Sequence, residues 1–206
     1  MEYNSYVRGR YFLEKPTLCM IVGVAGSGKT ELAKQIASQL VDAAYIDKDM
    51  VQSPFSSTER VTGDVYAKIT GPTFHFLVDF ADTQLSLAKT PIIDAPYSRN
   101  FKLKNEYRDW VAHYKKVADK HHARLAIVRC LPPSTEELKR RIQARVDAGT
   151  HPWDKELKLD NWEEWLKFEP ADFPIPHNDV YEIVSDKPTA ALAEDVLENY
   201  LGATKK

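Results

Sequence analysis

One stretch constrains this chain more than any other. Gly23-Val24-Ala25-Gly26-Ser27-Gly28-Lys29-Thr30 fits the pattern G-x-x-x-x-G-K-[ST]. The apolar run Leu18-Cys19-Met20-Ile21-Val22 before it reads as a buried parallel strand. Leu32, Ala33, Ile36, Ala37 and Leu40 after it fall at helical spacing. Glycines allow the backbone to wrap an anion with its N–H groups turned inward, and a helix starting near Gly28 adds its positive end. On this reading Gly23, Ala25, Gly26, Ser27 and Gly28 cradle the phosphates of ATP. Lys29 reaches the outer phosphates, and Thr30 places its hydroxyl on Mg²⁺. The competing reading is a glycine-rich turn with no ligand. The flanking strand and helix, with Lys29 and Thr30 both present, favour phosphate binding.

Length and charge narrow the class. The chain has 206 residues and a formal charge of −2, so it has no global attraction for nucleic acid or membrane. Cys19 and Cys130 each lie in an apolar, strand-like run, where core thiols are expected in place of a disulfide or metal pair. The charged start, with Glu2, Arg8, Arg10, Glu14 and Lys15, is unlike a signal peptide, and no apolar run approaches the ~18 residues of a membrane span. A soluble cytoplasmic protein is the expectation, monomeric or homodimeric.

The pattern alternates strands and helices over one domain, 1–206. Residues 1–16 form an arm against the sheet edge. Strands are expected at 17–22, 43–46, 91–94, 124–131 and 180–184. Helices are expected from the P-loop to about Leu40, over 58–69, over 105–121, after the capping-box spacing Ser134-x-x-Glu137, and after Pro188. Gly71-Pro72 should break the helix before the face traced by Phe74, Leu77, Val78, Ala81, Leu85 and Ala88. Ser53–Ser57 reads as loop. From Asp147 to Pro176 the composition turns to Trp, Pro and charge, and a lid or insertion is expected over about 138–176. The fold class is α/β: a three-layer P-loop NTPase fold, with a five-stranded parallel sheet, helices on both faces and a helical lid.

The remaining chemistry should gather at the carboxyl ends of the strands. Asp47 and Asp49 alternate at the end of the second strand, one toward a metal and one toward an acceptor hydroxyl. Their other reading is as solvated loop acids with a capping role. Asp94 ends the strand Ile92-Ile93 like an acid that holds Mg²⁺ through water, or caps the next turn. Arg99 contacts an acceptor or is a surface charge. Arg141 and Arg145 are i, i+4 on one helix face and clamp phosphate oxygens or ride in solvent, with Arg140 beside them. Lys158 is a weaker clamp candidate. The histidines show no ligand spacing, and the tryptophans are expected to pack an irregular lid.

Together these motifs resemble the small P-loop kinases of the nucleoside-monophosphate-kinase-like group, such as gluconate, shikimate, adenylylsulfate, chloramphenicol and polynucleotide kinases. Ile93-Asp94-Ala95-Pro96-Tyr97-Ser98-Arg99 and Leu157-Lys158-Leu159-x-Asn161-Trp162-Glu163-Glu164 are similar to the bacterial AAA-type or zeta-toxin-like ATPases. The resemblance covers most of 17–201. It implies Asp49 as base toward the acceptor hydroxyl, Asp47 nearer the metal, lid arginines closing on ATP, and Ser185-Asp186-Lys187-Pro188 meeting the adenine. Gln52 stands where polynucleotide kinases tend to carry an arginine, which disfavours a nucleic-acid acceptor. The stretch Thr150-His151-Pro152-Trp153-Asp154 lacks the arginine often found before that acid. The expected function is transfer of the γ-phosphate to a hydroxyl of a small molecule. A nucleotide, nucleotide-sugar or polynucleotide acceptor, or an ATP-binding regulator without transfer, are the rival readings.

Overall fold

The computed structural model describes residues 11–52, 64–98 and 109–205, with side chains from 69 onward in the second stretch. Arg99 lies outside the described residues. So do most of the arm, the Ser53–Ser57 loop, and the first residues of the helices expected over 58–69 and 105–121.

Five strands form one parallel sheet in the order β3-β4-β2-β5-β6. They are β2 (Thr17–Val22), β3 (Ala43–Asp47), β4 (Thr90–Asp94), β5 (Arg124–Leu131) and β6 (Val180–Val184). Side chains alternate across a strand, and two cores follow from that period. Leu18, Met20, Ile46, Ile93, Leu125 and Ile127 pack on helices α3 (Asp64–Ser86) and α4 (Trp110–Lys120) through Leu77, Ala81, Val111 and Tyr114. Cys19, Ile21, Ile92, Ala126 and Val128 face the other way, onto α1 (Lys29–Gln39) and α7 (Thr189–Asp195) through Leu32, Ile36, Leu192 and Ala193. The result is the three-layer α/β arrangement expected for a P-loop fold. Both cysteines are free and buried, and burial pushes the Cys19 thiol up to about 12.

Three expectations change. Gly71-Pro72 does not end a helix, because α3 runs through Pro72. The proline has no N–H to donate, but the Thr73 hydroxyl donates to the carbonyl of Ile69 at 2.9 Å and restores a polar contact in that turn. Ala88 leaves the apolar face: α3 stops at Ser86, and Ala88 takes a left-handed φ of 56° in the turn that follows. The described part of the arm adds a small sheet of its own, while Tyr11 also bridges Leu40 just before the edge strand β3. β1 (Tyr11–Phe12) pairs antiparallel with β7 (Thr204–Lys205), and the Tyr11 hydroxyl donates to Glu194 and Glu198 at 3.1 and 2.7 Å.

The segment expected as a lid is helical. α5 (Thr135–Asp147) is followed by a π-helical turn, Lys155–Leu159, and by α6 (Trp162–Phe168). Ser134 caps α5 by accepting from the Glu137 N–H at 3.1 Å. Only half of a capping box forms, because the Glu137 carboxylate turns to Arg140 and Arg141. Leu138, Ile142, Trp162 and Trp165 form a third core with Val24, so these two tryptophans pack and the segment rests on the P-loop, whereas Trp153 is exposed.

Candidate active site

The P-loop follows β2, the central strand, at the carboxyl edge of the sheet. Gly26 and Gly28 have φ of 82° and 92°, a left-handed conformation that side chains disfavour. A Cβ at Gly26 would stand 3.0 Å from Leu138 Cδ1, and one at Gly23 would stand 2.5 Å from the Cys130 carbonyl oxygen. Cys130 also donates its thiol to the Ser27 carbonyl at 3.0 Å. The loop is therefore clasped between β5 and α5. Ala25 lies half-buried against the third core.

Register brings the acids together. Asp47 pairs with Asp94 across β3 and β4, and Asp94 pairs with Ile21 across β4 and β2. Asp94 is 1% exposed. Burial raises its pKa, the nearby Asp47 and Asp49 add to this, and Lys29 and Thr30 pull the other way. Its Oδ1 is buried without a hydrogen-bond partner among the described residues, while Oδ2 accepts from the Tyr45 hydroxyl at 3.4 Å. Ser27 Oγ is similarly buried and unpartnered. A carboxylate with an unused oxygen beside Thr30 fits a hard cation that keeps its waters, and the glycine cradle fits a phosphate. These residues therefore suit Mg²⁺ and a nucleotide.

Asp47 and Asp49 are not an alternating pair. The strand ends at Asp47, and Lys48 opens the short helix α2 (Lys48–Gln52). Asp47 Oδ1 accepts from the Asp49 N–H at 2.6 Å, so Asp47 caps α2 and throws Asp49 forward. Asp49 is 64% exposed and pairs with Lys48 at 2.8 Å. Partial enclosure opposes its charge, but Lys48, Lys29 and His151 outweigh that and hold the carboxyl below its ordinary value. Asp49 is thus ionised at neutral pH and open to solvent.

The three arginines of α5 part company. Arg140 is exposed and forks onto Glu137 with two bonds of 2.7 Å. Arg141 turns inward: Nη1 donates to the Ser185 hydroxyl at 2.7 Å and to the Gly26 carbonyl at 3.5 Å, and Nη2 donates to the Ser185 carbonyl at 2.8 Å. Arg145 reaches Asp154 at 3.6 Å. Asp186, next to Ser185, is exposed. Tyr45 is an additional site-bordering residue that the sequence pattern did not single out, and Glu137, named there only for capping, takes on Arg140 and Arg141. Asp154 and Lys158 do stand at i, i+4, and Ser185 follows directly on the last strand.

A family model for an AAA domain matches residues 18–170, most of the chain. The chain belongs to the AAA domain family. A candidate kinase from Chloroflexus aurantiacus J-10-fl superposes on this AAA-domain protein with a TM-score of 0.66 at 15% identity, over 91% of this chain and 99% of that one. The APS kinase of Mycobacterium tuberculosis, in complex with AMPPNP and APS, gives 0.54 at 18% identity over 89% and 96%. A sugar kinase from Janibacter sp. gives 0.54 at 20% identity over 91% and 95%. Identities this low establish shared fold, here a kinase-like P-loop fold. Comparison with curated proteins finds no sequence match. Among the described residues no helix is long and apolar enough to cross a membrane.

Proposed function

We propose that this chain, acting as one kinase unit, transfers the γ-phosphate of ATP to a hydroxyl on a small molecule. The observation that supports this best is the gathering of Lys29, Thr30, Asp47, Asp49 and Asp94 at one edge of the sheet, with Arg141 of α5 donating to the P-loop at Gly26. Phosphoryl transfer needs little covalent help from the protein and much positioning and charge.

In this reading Gly23 to Gly28 hold the phosphates with backbone N–H groups, and Lys29 neutralises the outer ones. Thr30 and Asp94, with Asp47 beside them, hold Mg²⁺ and its waters. Mg²⁺ held there would supply positive charge to the phosphates during transfer. Arg141 and Arg145 close from the helical lid over the phosphates, and Asp186 borders the adenine. Asp49 takes the proton from the acceptor hydroxyl as its oxygen bonds to the γ-phosphorus and ADP leaves. Arg99 holds the acceptor.

The test is a screen of hydroxylated metabolites with γ-labelled ATP and Mg²⁺. Labelled product that disappears in Asp49→Asn supports the reading. ATP binding with no labelled product from any pool would instead make the chain an ATP-dependent regulator.

A further inference from the structure

Tyr45 reaches Asp94 from the edge strand of the sheet. In the β3–β4 register it stands opposite Ile92, two residues short of the Asp47–Asp94 pair. Side chains at i and i+2 share a face of a strand. Tyr45 and Ile92 lie on the α1 side of the sheet, so Asp47 and Asp94 point there too. Two residues of strand rise about 7 Å. A phenol is long enough to span that rise and carries a donor at its end. The Tyr45 ring packs against the core on the α1 side, and its hydroxyl donates to Asp94 Oδ2 at 3.4 Å.

The two paired acids spend their oxygens differently. Asp47 Oδ1 accepts from the Asp49 N–H at 2.6 Å, which commits that carboxylate to capping α2. Asp94 Oδ2 takes the Tyr45 hydroxyl, and Oδ1 is buried with no hydrogen bond among the described residues. A carboxylate rotates about its Cβ–Cγ bond with only a broad, two-fold preference. A donor fixed on one oxygen removes that freedom and decides which oxygen stays unspent. Packing does not require the Tyr45 oxygen, because the ring is half-buried and a phenylalanine would fill the same apolar space. A group that bonds a metal-holding carboxylate from outside the metal's own shell orients it and tunes its affinity.

We propose that Tyr45 is a positioning residue for Mg²⁺: its hydroxyl holds Asp94 Oδ2 and so leaves Oδ1 free for the water shell of the metal. The inference rests on the kinase reading and deepens its metal site. Tyr45 itself touches neither metal nor nucleotide.

ATP affinity, titrated once with excess Mg²⁺ and once with EDTA, separates positioning from packing. The proteins are the parent, Tyr45→Phe, Asp94→Asn and the double variant, and the ratio of the two affinities is the gain due to Mg²⁺. Tyr45→Phe should cut that gain by about 10-fold, the lower end of what a lost outer-shell partner costs. Its affinity in EDTA should stay at the parent's. The double variant should show the gain of Asp94→Asn alone, because Tyr45 acts only through that carboxylate. An undiminished gain in Tyr45→Phe overturns the proposal. So does an equal loss with and without Mg²⁺, since the hydroxyl then serves only the shape of the P-loop edge. A double variant whose losses add overturns it as well. A parent protein that binds ATP with no gain from Mg²⁺ removes the metal reading of Asp94 together with this proposal. A parent that binds no ATP at all removes the kinase reading itself, a result distinct from the others.

Discussion

Arg141 donates to both the hydroxyl and the carbonyl of Ser185, at 2.7 and 2.8 Å. That pair joins the helical lid to the loop after β6, beside Gly28, whose Cβ would stand 3.3 Å from Ser185 Cβ. Planar forked geometry makes both bonds possible at once, and an ammonium cannot reproduce it. Arg141→Lys should therefore weaken Mg-ATP binding by roughly 10-fold, as Arg141→Ala should. Ser185→Ala removes only the hydroxyl contact and should cost less. Titration of the three variants with Mg-ATP checks the order; full rescue by lysine would show that charge alone matters.

Lys29 lies half-buried and has no place in any of the three cores. Lys29→Ala should leave the thermal midpoint of the free protein near the parent's and strongly reduce ATP binding or turnover. A folded variant with both unchanged removes the phosphate reading of the P-loop.

Asp47 and Asp49 should separate by readout. Asp49→Asn is expected to keep ATP affinity within a few-fold and to lose transfer by roughly 10²-fold or more, the scale of general-base help. Asp47→Asn should shift the Mg²⁺ dependence while its side chain still caps α2. Asp47→Ala should in addition cost about 1 kcal/mol of stability through the lost cap to the Asp49 N–H. Paired Mg²⁺ titrations and denaturant melts tell these apart, and full transfer by Asp49→Asn would unseat it as the base.

Gly23 has a φ of 151° and sits where a Cβ would meet the Cys130 carbonyl at 2.5 Å and Ser27 Oγ at 2.6 Å. A backbone carbonyl in a central strand cannot step aside. Gly23→Ala should cost about 2 kcal/mol of stability, in the range of overpacked sites. A melt that matches the parent's would mean that the loop relaxes freely.

Glu137 supplies a pH signature. Arg140 and Arg141 pull its carboxyl from the ordinary 4.5 down to about 2. A depressed folded value means that its contribution is fully present above pH 4.5 and is lost as pH falls from there toward 2. The unfolding free energy of Glu137→Gln should therefore fall less steeply with acid than the parent's in that window. Parallel curves in stepped-pH denaturant melts would count against the two ion pairs.

The sequence by itself determined the layout: strand, P-loop, helix, and four more strands at the expected places. These signals are local. Apolar runs, glycines at fixed offsets and the Ser134 cap each report on neighbours within a turn or two. Only the tertiary structure decided the site. The order β3-β4-β2-β5-β6 sets Asp94 next to both Asp47 and Ile21, and nothing local encodes that register. Arg141 and Arg145 look alike at i, i+4, yet one binds Ser185, 44 residues on, while the other meets buried Asp154. Pro72 shows the same limit, since a helix held by packing on β4 and α4 overrides a local breaker. Spacing records which groups share a face, whereas burial and pairing depend on what the fold brings against that face.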